Sequence, residues 1–168
     1  TTSFRAPFAD AEYSGPEPVN LFVKKVMGMT LFSKLDNYFV CDTATVYRRG
    51  QYNLDVHTFN TMDLCQIIDE DLYIENNSQL GITIDSDNIL HGELRSGRFA
   101  IGKDYIKDFT LSLDASDSSA THANLFSQNI RFAGMRMDSV FVELAADSNI
   151  VDAGFNFKND STENNSAT

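Results

Sequence analysis

The residues of this chain best equipped for chemistry are three histidines, two cysteines and a set of acid-rich loops. His57, His91 and His122 stand in unrelated contexts, so none has a sequence partner that would make it a general base. His57 lies eight positions before Cys65 and, with Cys41, would make three zinc ligands. That spacing matches no compact zinc site, and His57 reads as ordinary strand surface. His91, followed by Gly92-Glu93 in a β-prone run, reads the same way. The sequence contains no Gly-x-Ser-x-Gly elbow, phosphate-cradling glycine loop, His-Glu-x-x-His or Cys-x-x-Cys. Paired carboxylates of the glycosidase kind are inevitable among 24 acids, and the linear order selects no one pair. The chain is therefore expected to act without catalysis.

Oxygen-rich turns offer a second kind of chemistry. Asp85-Ser86-Asp87-Asn88 gathers oxygen side chains in four positions, and Asp114-Ala115-Ser116-Asp117 and Asp69-Glu70-Asp71 are similar clusters. Calcium takes six to eight oxygens, and such a loop supplies part of the set. Asp85, Asp87 and Asn88 are the best candidates for that ion. The full helix-loop-helix signature is absent, with Ile89 following Asn88. The competing reading is a turn whose Asp and Asn side chains bond their own backbone. Asn76, Asn159 and Asn164 head Asn-x-Ser/Thr acceptors that matter only in a glycosylating host.

Cys41 and Cys65 stand 24 positions apart in β-prone surroundings. Joined as a disulfide they would stabilise by roughly 3 kcal/mol on the loop-entropy account; the alternative is two buried thiols packing as small apolar groups. The chain opens Thr1-Thr2-Ser3 without methionine, which suits a removed leader. Together these features point to an oxidising, extracellular or cell-surface setting.

Net charge is −11, from 24 acidic and 13 basic residues. Such a surface keeps a β protein soluble and repels phosphate backbones and anionic lipid heads, so neither nucleic acid nor a membrane is an expected partner. No apolar run is long enough to insert in a bilayer. Hydrophobic residues make up 42% of the chain, with 13 phenylalanines and no tryptophan, which excludes a disordered chain and implies a core of packed rings.

The elements that must position these residues are mostly strands. Alternation runs through 38–47, turns at Arg48-Arg49-Gly50-Gln51, and returns through 52–58. Short β-prone runs follow at 72–75, 80–85, 89–94, 98–101, 105–113, 129–132, 139–144 and 154–157. Turn signals at such spacing imply a mainly β fold, an antiparallel sandwich or roll of about eight to ten strands. One or two short helices are expected, in part of 19–35 and in 62–72, because Phe22, Val26 and Met62, Cys65 fall at helical spacing. No fixed repeat survives alignment of the strand pieces, against a solenoid.

Residues 1–18 read as an N-terminal arm, 19–157 as one β-rich domain and 158–168 as a polar tail. Phe4, Phe8 and Tyr13 stud the arm, which Ser14-Gly15-Pro16-Glu17-Pro18 separates from the body. Rings left in water forfeit roughly 1.5–3 kcal/mol each, so they fold onto the chain's own body or into a neighbour. The second destination would make the chain a structural subunit that assembles with copies of itself into a filament, fimbria-like fibre or coat. The alternative is a secreted module binding carbohydrate or another surface ligand, with calcium as a possible aid.

Overall fold

The structure is a computed structural model and describes residues 1–30, 48–69, 71–116, 119–159 and 163–167. Side chains alternate along the strand Tyr52–Thr58: Tyr52, Leu54 and Val56 turn to one face, Asn53, Asp55 and His57 to the other. The apolar face continues because register sets like against like. Tyr52 lies opposite Ile84, Ile84 opposite Leu90, and Leu90 opposite Ala115.

In chain order the elements are β1 (Thr2–Ala6), β2 (Ala9–Ser14), α1 (Val19–Met29), β3 (Tyr52–Thr58), α2 (Met62–Ile68), β4 (Leu72–Ile74) and β5 (Gln79–Ile84). Then come β6 (Ile89–Ile101), β7 (Asp104–Ser116), β8 (Ser119–Phe132), β9 (Met135–Asp147), β10 (Ile150–Asn159) and β11 (Glu163–Ala167). The eleven strands described form one antiparallel sheet, a meander in which each strand pairs with its chain neighbour. The exception is β4, which pairs with β6 at Phe99–Ile101, where β5 has left that edge. The mainly β, antiparallel class expected from alternation is what the chain adopts. Several hairpins close with two-residue turns: Ala133-Gly134 and Ser148-Asn149 each put both residues at positive φ, the geometry that matches strand twist.

Helix α1 covers one end of the apolar face. Pro18 precedes it, where a missing N–H costs nothing, and its carbonyl accepts from Leu21 and Phe22. Phe22, Lys25 and Met29 are buried at helical spacing, while Val19, Val23 and Met27 look outward. Phe22 is fully enclosed between Tyr13 (ring centroids 5.2 Å apart) and Tyr52 (5.7 Å). Met29, Ile84, Leu90 and Ala115 complete this core, and Thr121 Oγ1 donates to the Met29 carbonyl at 3.4 Å.

Beside the rings lies a buried polar knot. Glu17 accepts from the Tyr52 hydroxyl and from the Arg48 N–H, both at 2.9 Å, and Tyr13 donates to the Glu17 carbonyl at 2.6 Å. Lys25 Nζ donates to the Arg48 carbonyl at 3.2 Å and sits 4.6 Å over the Tyr52 ring. Burial first, and the Glu17 carboxylate second, raise both tyrosine hydroxyls above their ordinary pKa of 10.0. Below that pH they are neutral in folded and unfolded chains alike, and their contribution is fully present. Above it the unfolded chain sheds protons that the folded chain keeps, so stability falls as pH rises, by up to about 2.7 kcal/mol per pH unit for two groups. Urea midpoints measured from neutral into the alkaline range should therefore decline past pH 10.0; a flat profile would mean the two hydroxyls ionise freely in the folded protein.

A break crosses the long strands at one level. Pairing skips between Ser96 and Arg98 on β6, Lys107 and Phe109 on β7, Ser127 and Asn129 on β8, and Asp138 and Val140 on β9, and shifts register at Asn156/Lys158 on β10. Asp108 and Ser139 hold positive φ there. Buried polar side chains lie along the line. Ser127 Oγ reaches the Lys107 carbonyl at 2.7 Å, and Ser96 Oγ meets Ser78 Oγ at 2.7 Å. The Ser127 hydroxyl thereby serves a main-chain group beside the interrupted ladder.

The first eighteen residues, expected as an arm, enter this sheet. Pro7 lies in the β1–β2 turn, where no ladder donor is needed, and β2 pairs with β3 from Ala9–Thr58 to Ser14–Asn53. The helices expected within 19–35 and 62–72 are α1 and α2. Strand β8 begins at Ser119, well ahead of the expected 129, and β11 lies inside the segment expected as a loose tail. The strand expected at 38–47 falls outside the described residues.

Candidate functional site

The face opposite α1 carries two parallel rows of polar residues. One runs Ser3, Glu12, Asp55, Gly81, Glu93 and the other Arg5, Asp10, His57, Gln79, Arg95, each residue directly opposite the next across β1, β2, β3, β5 and β6. The two rows line a groove of about 760 Å³. Every strand contributes residues two apart, the spacing that keeps side chains on one face. Gly81 stands midway along the first row with space above it: a Cβ built there points toward Asp55, 3.7 Å from Oδ1.

Charges in the groove are partly paired. Arg5 Nε lies 2.9 Å from Asp10 Oδ1, and Arg95 grips Glu93 with two contacts of 2.7 and 3.0 Å. These pairs are solvent-exposed and add little stability, so their value lies in holding planar polar groups in fixed orientations. Asp55 accepts from Asn53, and the His57 ring lies 6.5 Å from that of Phe59. Two guanidinium groups face four carboxylates, Asp10, Glu12, Asp55 and Glu93, and Phe4, Ala11, Val56 and Leu80 also line the groove between them. Such a surface suits a neutral, hydroxyl-rich ligand that takes many directional hydrogen bonds.

The residues picked out by sequence are scattered. Tyr13 is in the ring core, Phe8 is half-buried at the β1–β2 turn with its carbonyl bonded to Phe59 N–H at 2.8 Å, and Phe4 is 60% exposed on β1. Only Tyr13 joins the core, so the three do not form one patch. Asp85 Oδ1 accepts from the N–H groups of Asp87 and Ile89, both at 2.9 Å, and Asn88 takes positive φ. The Asp85, Asp87, Asn88 loop is thus the self-bonded turn that joins β5 to β6. Among the described residues no group of three or more His, Cys, Asp or Glu is placed to hold a metal ion.

Cys65 is buried in α2, and its expected disulfide partner Cys41 lies outside the described residues. Asn76 Oδ1 accepts from Thr61 N–H at 2.9 Å, which keeps that acceptor side chain engaged within the protein. His91 and His122, unrelated in sequence, flank Asp114 on adjacent strands, and His91 Nδ1 is 2.5 Å from Asp114 Oδ1. Sequence reasoning missed the groove itself. Its signal was a polar pair at alternate positions on four β segments (Asp10/Glu12, Asp55/His57 and Glu93/Arg95 among them), with Gln79 and Gly81 on the fifth, meaningful only once register aligns them.

Among the described residues no helix is long and apolar enough to cross a membrane. Comparison of the chain with models of protein families, with curated proteins and with solved structures gives no match.

Proposed function

We propose that the chain is a non-enzymatic binding module whose groove takes a carbohydrate or a similarly hydroxyl-rich surface ligand. The reading rests on one observation: two register-aligned rows of polar side chains line a groove of about 760 Å³ over five contiguous strands. Carboxylate, guanidinium, amide and imidazole groups offer donors and acceptors in planar sets, which match adjacent hydroxyls on a sugar ring. An extracellular or cell-surface setting fits this use.

Gly81→Leu tests it. The position is in a strand with ordinary φ, and a Cβ there meets nothing closer than the Asp55 carboxylate at 3.7 Å, so a side chain fills the groove and leaves the fold intact. The parent protein should bind members of a glycan panel, and Gly81→Leu should bind the same glycans at least about tenfold more weakly with an unchanged melting temperature. A parent that binds no glycan, or a variant that binds as well as the parent, would refute the reading.

A second reading, assembly with copies of itself, has its own support. Among the described residues β1 pairs on one side only, and Phe4 is exposed there. An edge of this kind is the template for strand addition. Light scattering on the same samples decides between the two: mass that climbs with concentration, without glycan binding, puts assembly first.

A further inference from the structure

Beyond the break, the β6–β7 and β8–β9 hairpins turn through Gly102-Lys103 and Ala133-Gly134. The strand ends beside these turns carry Ile101, Phe132 and Met135, exposed by 55%, 61% and 62%. The tips are bound to each other, because Ala133 N–H donates to Asp104 Oδ1 at 3.0 Å; Phe132 and Met135 stand directly opposite one another, with Ile101 on the far side of Asp104. Exposed Lys103, Arg131 and Arg136 border these apolar groups, Arg136 in a loose, solvent-exposed pair with Asp138 at 3.5 Å. Residues 98–107 and 129–138 hold five cations against Asp104 and Asp138, a surplus of three positive charges in a chain of net −11, leaving −14 to the remainder. Arg98 stacks between Tyr73 and Tyr105, at 5.3 and 5.4 Å, just behind the tips. Asp71 touches the first tip, its carbonyl accepting from Gly102 N–H at 2.9 Å with Asp69 beside it, so the positive surplus lies on the β7–β9 side.

We propose that these two tips dock the module on an anionic lipid surface. Ile101, Phe132 and Met135 enter the headgroup layer while Lys103, Arg131 and Arg136 meet lipid phosphates, and the acidic remainder of the protein is held outward. Apolar insertion combined with cationic contact is the pairing that gives stable peripheral binding, and tyrosines favour the same depth. This surface lies beyond the break from the groove and stands or falls independently of it.

Sedimentation with vesicles tests the proposal. The protein should pellet with vesicles of equal parts phosphatidylglycerol and phosphatidylcholine at low salt and remain in solution with phosphatidylcholine alone. Each basic residue at an anionic surface strengthens binding about fivefold, so Lys103→Glu combined with Arg131→Glu and Arg136→Glu should weaken it at least about a hundredfold. High salt should weaken it in the same direction. Phe132→Ser with Met135→Ser should weaken it at least about tenfold with the melting temperature retained, since both side chains are exposed. Three results would each overturn it: no pelleting with the anionic vesicles, equal pelleting with both lipids, or an apolar variant that pellets like the parent. A fourth is loss of self-association in that variant without any vesicle binding by the parent, which assigns the tips to a second copy of the chain.

Discussion

Phe22→Ala is expected to lower the unfolding free energy by about 3–5 kcal/mol, the range for deleting a fully buried aromatic ring. Against a typical total of about 5–15 kcal/mol this is a large fraction. Phe22 has no exposed surface and contacts Tyr13 from β2 and Tyr52 from β3, so its loss opens a cavity among three elements at once. Helix α1 has no side-chain cap at its start and no basic residue in its last turn, so packing of this face rather than intrinsic propensity holds it. Met27, on the opposite face of the same helix and 57% exposed, supplies the contrast: Met27→Ala should change stability by less than about 0.5 kcal/mol. Urea unfolding of the two variants measures the difference. Equal costs would mean that α1 is not seated on the sheet by Phe22.

Glu17→Ala is expected to cost about 3–5 kcal/mol for a different reason. The carboxylate is buried and holds two donors, the Tyr52 hydroxyl and the Arg48 N–H, in a pocket that also encloses Lys25. Truncation leaves the Arg48 N–H without this acceptor, throws the Tyr52 hydroxyl wholly onto the Arg48 carbonyl 2.6 Å away, and removes the negative charge from a pocket that keeps a buried ammonium. Glu17→Gln keeps an acceptor but loses the charge, and should fall between parent and Ala. A double-mutant cycle with Tyr52→Phe isolates the shared hydrogen bond. In the Tyr52→Phe background the hydroxyl is already gone, so the cost of Glu17→Ala should shrink by about 1–2 kcal/mol. Strict additivity would show that Glu17 acts through other contacts.

Much of the β class was readable because hydrophobic alternation survives along 52–58, 80–84, 89–94 and 105–113, where one face meets the core and the other meets water. The first half of β8 was not readable. Its inward positions Thr121, Ala123 and Ser127 are small or polar, with Leu125 the one large apolar residue among them, since Thr121 reaches α1 and Ser127 bonds the Lys107 carbonyl at the break. A strand whose core side is built from such residues shows no hydrophobic period. The proline-flanked Glu17 looked like loop punctuation, yet it is the acceptor at the centre of the buried knot. In residues 1–18 the apolar rings were legible and their destination was not, because pairing with β3 depends on a segment far along the chain, Asn53–Thr58. The groove was the least legible feature: its two rows draw on five strands spread from Ser3 to Arg95.

The nearest-neighbour order of the sheet bears on how the chain finds its shape. Hairpins β6–β7, β7–β8, β8–β9 and β9–β10 each close over a short local loop, so ordering can spread from one to the next without a costly entropic closure. The pairing of β2 with β3 and the docking of α1 reach farther, the Met29 carbonyl of α1 meeting Thr121 across 92 residues. Contact order for the hairpin array is therefore low for an all-β protein, which favours rapid zippering there, with helix seating as the slower step.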